Sequence, residues 1–174
     1  MPGSSKPTRD VIRFAITFLV LVGVFRWVVS IDAIDHLLNE PLCTWIAQLS
    51  AAVLTPFGDV ALRGNRLAFD GFWVIVVEAC NGVLPTTIYL AAVLAFPTTW
   101  GARLWGVAIG IPAIFIVNLT RVVSLLVLGA VWPAVFEQVH IYVWQTLVVA
   151  LSMGIWIFWA EYFVRPAARL GAST

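Results

Sequence analysis

Three stretches of this chain are too apolar for any setting except a membrane or the centre of a much larger core. Residues 14–31, FAITFLVLVGVFRWVVSI, hold a single charge, Arg26. Residues 103–130, RLWGVAIGIPAIFIVNLTRVVSLLVLGA, and residues 139–163, VHIYVWQTLVVALSMGIWIFWAEYF, are longer still. About 20 such residues cross a hydrocarbon layer of about 30 Å. A chain of 174 residues has no soluble core able to enclose all three. Its composition agrees: 61% hydrophobic and 11% charged, against roughly 45–50% and about 25% in soluble domains. The expected solvent is lipid, and the nine tryptophans fit an interfacial aromatic belt. A net charge of +1 gives no electrostatic footprint for nucleic acid.

The expected fold is an all-α polytopic membrane protein. It has about four transmembrane helices, an interfacial helix and a small extracytoplasmic β-hairpin. One membrane domain covers 1–174. It divides into a cytoplasmic tail (1–13), a first span (14–31), an extracytoplasmic segment (32–79), a three-span core (80–163) and a second cytoplasmic tail (164–174). The N-terminus, MPGSSKPTRD, has the polar, basic character of a signal n-region, but no small-residue cleavage site follows. The first span therefore reads as a retained anchor, with Arg26 snorkelling near its far end. Residues 32–41 are polar and acidic. Residues 42–57 predict a short interfacial helix that Pro56 helps to end. Turn signals at Gly64-Asn65 and Asp70-Gly71, between β-prone runs, predict the hairpin within 58–79. The second span, from Gly82 to about Phe96, is short for a crossing. Pro112 is a candidate kink in the third, and 97–103 and 132–138 read as turns.

Orientation follows from the basic residues. Lys6, Arg9 and Arg13 precede span one, Arg103 falls between spans two and three, and Arg165 and Arg169 follow span four. Four spans put all of them on the cytoplasmic side. Counting 42–57 as a fifth would place the last two arginines outside.

Against this background VVEACNGVLP, residues 76–85, stands out. A carboxylate, a thiol and an amide sit together at the outer mouth of span two. Arg121 lies 18 residues after Arg103, a rise of about 27 Å at 1.5 Å per residue, so it too reaches the outer leaflet. His140 opens span four at the same depth. Each residue has an ordinary reading. Cys80 could be a buried small side chain or half of a disulfide with Cys43. Arg121 could snorkel to headgroups, although the apolar run after it favours a bundle-facing position. His140 alone is unremarkable. Asn118, one turn before Arg121, shares its face. Glu78 could simply end a strand. His36, Asp59, Arg63 and Glu161 read as solvated or interfacial residues without a role. Together, thiol, imidazole and guanidinium suit acyl transfer. A thiolate is the nucleophile, a histidine moves the proton, and a cation stabilises an oxyanion.

Glu78-Ala79-Cys80-Asn81-Gly82, the later Asn118-Leu119-Thr120-Arg121-Val122, and His140 on a following helix resemble the exosortase/archaeosortase family over about residues 70–163. The first 60 residues carry no such motif. The chain is shorter than the eight-span members and is similar to the compact exosortase H type. Position 81 is Asn where many members have Ser. The resemblance implies a membrane cysteine protease or transpeptidase, multi-pass in the bacterial inner membrane, with its site facing the periplasm. It implies Cys80 as nucleophile, Arg121 as oxyanion or thiolate stabiliser and His140 as general acid/base, with Glu78, Asn81 and Asn118 in support. The substrates it implies are membrane-anchored proteins bearing a C-terminal sorting signal: a short motif, a transmembrane helix and a basic tail. No metal cluster or phosphate loop is present in the sequence, so no metal and no cofactor is expected. The oligomeric state and the acceptor are not legible.

Two other readings remain. A thiol–disulfide membrane enzyme would use Cys43 and Cys80 with a quinone, but it normally needs two redox pairs. A non-enzymatic assembly subunit or a transporter would have Arg121 line a pathway.

Overall fold

In a computed structural model the chain is described over residues 5–164; Arg165 and Arg169 lie outside the described residues. Six α-helices and one small sheet follow in order: α1 (Ser5–Val29), α2 (Asp32–Leu54), strands β1 (Val60–Arg63), β2 (Arg66–Phe69) and β3 (Phe72–Ile75), α3 (Val83–Ala95), α4 (Trp100–Val131), the single turn α5 (Phe136–Gln138) and α6 (Gln145–Trp159). Among the described residues three helical rods are long and apolar enough to cross a membrane: Arg9–Val29, Trp100–Val131 and Pro133–Val164. The fold is therefore that of an all-α polytopic membrane protein carrying a small sheet. The expected second span is α3, a shorter apolar helix of 13 residues, only about 20 Å long at 1.5 Å per residue.

The polar stretch 32–41 is not a loop. It forms the first turns of α2, which runs through Pro41 to Leu54. Asp32 and Asp35 lie in its first turn, where carboxylates complement the helix dipole. Its buried residues, among them Asn39, Cys43, Ile46, Ser50 and Leu54, recur at helical spacing along one face.

The expected hairpin is a three-stranded antiparallel meander, β1-β2-β3. Both turn dipeptides form where the sequence puts them. Asp70 (φ 47°) and Gly71 (φ 84°) link the Phe69–Phe72 pair, and positive φ at both positions is what a tight I′ turn demands. Gly64, at φ 61°, opens the other turn. The Asp70 carboxylate accepts the Asp59 N–H at 2.9 Å, and Asn65 Nδ2 donates to the Val76 carbonyl at 3.0 Å. The turns thereby tie down the segments flanking the sheet. Leu67 and Phe69 pack with Ile46, Ala47 and Leu54 of α2 and with Val122 and Leu126 of α4 in one buried cluster.

α4 organises the bundle. Its buried positions are Ala102, Gly106, Gly110, Ile114, Asn118, Arg121, Val122, Leu125, Leu126 and Gly129, one continuous stripe. Small residues at 106 and 110 let neighbours approach closely. An added Cβ would meet the Trp159 ring at 2.8 Å on Gly106, and the Tyr89 ring at 2.0 Å on Gly110. Tyr89 donates its hydroxyl to the Gly106 carbonyl at 2.9 Å, and Trp159 Nε1 donates to the Ala102 carbonyl at 2.6 Å. Packing thus fixes α3 and α6 against the first half of α4. The second half carries the polar residues of the stripe and supports the sheet.

Candidate active site

The thiol sits in a tight backbone turn that depends on the glycine at position 82. Glu78–Cys80 make one 3₁₀ turn, and Gly82 caps α3 in the left-handed region at φ 79°, a conformation that favours glycine. A Cβ at Gly82 would stand 3.3 Å from Asn118 Cγ. Position 82 therefore answers to two demands, a backbone reversal and close contact with α4. Across that contact Asn118 Nδ2 donates to the Cys80 carbonyl, joining the turn to α4 three residues before Arg121.

Cys80 is half-buried, and its Sγ lies 3.8 Å from His140 Nε2, within hydrogen-bond range for sulfur. His140 stands in a π-helical segment, Val139–Trp144, between α5 and α6. Such insertions re-aim side chains and occur often at functional sites. Its ring packs at a tilt on Phe136 (centroids 5.7 Å apart), and Phe136 in turn packs on Phe72 of β3 at 5.1 Å. Phe72 lies over Gly129, where a Cβ would come within 2.1 Å of its ring. The sheet is thus the back support of the imidazole.

Arg121 is 5% exposed, so it faces the bundle and does not snorkel. It stands on the same stripe of α4 as Asn118, whose side chain holds the Cys80 turn. The Arg121 Nε is buried without a hydrogen-bond partner. Among the described residues the ion pair within 4 Å is His36–Glu40, so no carboxylate neutralises Arg121. A buried, unpaired cation is costly and by default marks a functional site.

The other expected residues separate. Asn81 is buried; its Oδ1 accepts the Val83 N–H at 2.9 Å, and its Nδ2 donates to Asn39 Oδ1. Asn39 donates onward to Asp35. Asn39 escaped the sequence reading because it lies in a stretch that looks solvated; only its burial on the α2 face reveals it. Glu78 is exposed and makes no hydrogen bond to Arg121. It lines a cavity of about 210 Å³ with Arg26, Asn39, Ala79 and Asn81, directly beside the thiol turn. Cys43 and Cys80 are both free thiols, so the disulfide considered from the sequence is not formed. Burial pushes the Cys43 thiol above its usual range, partly opposed by a hydrogen bond from Asn81. His36 and Asp59 are exposed, as are Arg63 and Glu161. Among the described residues no group of three or more His, Cys, Asp or Glu is arranged to hold a metal ion.

The fold and this cluster define a multi-pass membrane protein with a thiol–imidazole pair and a buried guanidinium at one end of its bundle. The family model for the transmembrane exosortase (Exosortase_EpsH) matches residues 5–159, and the chain belongs to that family. The match reaches from the start of α1 to the end of α6, well beyond the motif-bearing part. Membership supports a transpeptidase or sorting role in general terms. No curated protein and no solved structure matches the chain.

Proposed function

We propose that this protein is a cysteine transpeptidase that cleaves a C-terminal sorting signal at the outer face of the membrane. The observation that carries this reading is the 3.8 Å approach of Cys80 Sγ to His140 Nε2, made by residues 60 positions apart. In the first step His140 takes the Cys80 proton as sulfur attacks the scissile carbonyl. Arg121 stabilises the oxyanion of the tetrahedral intermediate. The C–N bond breaks, His140 protonates the leaving amine, and the substrate's helix and basic tail depart. In the second step an amine, an envelope hydroxyl or water attacks the thioester. His140 accepts that nucleophile's proton, and the Cys80 thiol is restored. Asn118 and Asn81 act as positioning residues for the Cys80 turn, and Glu78 faces the cavity where the peptide would enter. The site faces the periplasm of a bacterial inner membrane, with Arg103 and the start of α1 on the cytoplasmic side. A substrate whose basic tail stays inside then brings its peptide bond to Cys80.

The test is co-expression of the enzyme with a reporter ending in a candidate motif, an apolar helix and a basic tail. Wild type should shorten the reporter, and Cys80→Ala, His140→Gln and Arg121→Gln should leave it intact while accumulating normally in membranes. Equal processing by Cys80→Ala would end the reading and favour an assembly or transport role, in which Arg121 lines a pathway.

A further inference from the structure

The opposite end of α3 carries a second cleft that the reaction does not use. A cavity of about 230 Å³ opens between the start of α1 and the α3–α4 connection, lined by Asp10, Arg13, Thr17, Pro97 and Arg103. It is built for negative charge. Arg103 Nη2 donates to the Phe96 carbonyl at 3.2 Å, its guanidinium lies 4.8 Å over the Trp100 ring, and its Nε is buried without a partner. Among the described residues no carboxylate lies within 4 Å of Arg13 or Arg103. Asp10 therefore leaves the pocket with net positive charge.

A neighbouring apolar cleft of about 330 Å³ is bounded by Phe14 and Phe18 of α1, Ile88 and Ala92 of α3, and Met153 and Trp156 of α6. Phe14 lines both clefts. α3 gives Leu94 and Ala95 to the charged cavity and Pro85 to Ala92 to the apolar one. The apolar groove thus runs from the arginines toward the Cys80 end, for about 10 Å along α3. A cationic pocket leading into a hydrocarbon groove matches one chemistry, a phosphate ester joined to an acyl chain.

We propose that this composite cleft holds one anionic phospholipid, its phosphate on Arg13 and Arg103 and one acyl chain in the α1–α3–α6 groove. Basic pockets between membrane helices suit such headgroups, with about 1 kcal/mol per cation, or about fivefold in affinity.

The test is native mass spectrometry of the full chain in detergent, titrated with phosphatidylglycerol, phosphatidylcholine or inorganic phosphate. One phosphatidylglycerol should bind in preference to phosphatidylcholine. Arg13→Gln and Arg103→Gln should each weaken it about fivefold, and Arg66→Gln, on the sheet, should not. Ile88→Trp, which narrows the groove, should weaken the lipid while leaving inorganic phosphate binding unchanged. Should Arg103→Gln fail to accumulate, Arg13→Gln decides, since Arg13 is exposed and its loss leaves the bundle intact. Equal binding of the two lipids would overturn the proposal, as would equal losses from Arg13→Gln and Arg66→Gln. Inorganic phosphate displacing the lipid completely, with Ile88→Trp behaving as wild type, would reduce the cleft to a free-phosphate site and overturn it too.

Discussion

Replacing Arg121 by Met should make the protein more stable and inactive. The guanidinium is 5% exposed, its Nε has no hydrogen-bond partner, and among the described residues no carboxylate lies within 4 Å. Its desolvation is thus opposed by little within the fold. Exchanging buried charged groups for apolar ones of similar volume is often neutral or stabilising by about 1–4 kcal/mol. An arginine at the bilayer centre costs about 2.5–3.5 kcal/mol on insertion scales, an upper bound for one nearer the end of its helix. A gain of about 1–3 kcal/mol is expected, below the full cost of a central charge, because Arg121 sits ten residues from the end of α4. For a chain of this size, each kcal/mol moves the melting temperature by about 2–4 °C. Arg121→Met should therefore melt about 2–12 °C above wild type in lipid nanodiscs and should not process the reporter. The reasoning fails if the variant melts several degrees below wild type, because the cation would then be a structural tie. It fails equally if the variant processes normally.

Three further outcomes follow from the geometry. Gly82→Ala places a side chain at φ 79° and 3.3 Å from Asn118; it should cost about 1–2 kcal/mol for the left-handed backbone, read by thermal unfolding, and lower processing by shifting the Cys80 turn. Gly129→Ala drives a methyl to within 2.1 Å of the Phe72 ring; it should cost about 1–3 kcal/mol through overpacking and reduce processing beyond what the stability loss explains, since Phe72 supports Phe136 and His140. His36 should titrate above 6.5, chiefly because of its 2.8 Å hydrogen bond to Glu40. Its folded-state pKa is raised, so any stabilisation from this exposed pair is present below pH 6.5 and is lost as pH rises through the higher value. A pH series of histidine NMR shifts checks this, with Glu40→Gln returning His36 toward 6.5.

The readable parts of this sequence are those where a residue contradicts its surroundings. Arg121 and Asn118 are conspicuous in an apolar run, and the structure buries both on one stripe of α4. Cys80 and His140 could be placed at one depth by counting residues along helices, and they meet at 3.8 Å. The two turn dipeptides declared themselves because positive φ restricts residue choice. Other features left no such mark. The start of α2 at Asp32 was hidden because its first turns are as polar as a loop, and Asn39 was hidden with it. The ring support under His140 comes from Phe136 packing on Phe72, a contact between residues 64 positions apart with no local pattern. The pairing of Arg13 with Arg103 around one cavity likewise depends on how α1 lies against the α3–α4 connection. Glu78 is the opposite case: its motif made it prominent, and it faces a cavity instead of Arg121.

The most direct measurement is of the covalent intermediate itself. Wild-type protein in nanodiscs would be mixed with the reporter, quenched in acid and digested for mass spectrometry. A hydroxylamine-labile thioester joining the reporter's new C-terminus to Cys80, absent from Cys80→Ala, is the predicted result. Cleaved product formed without any adduct on Cys80, and formed equally by Cys80→Ala, would contradict it.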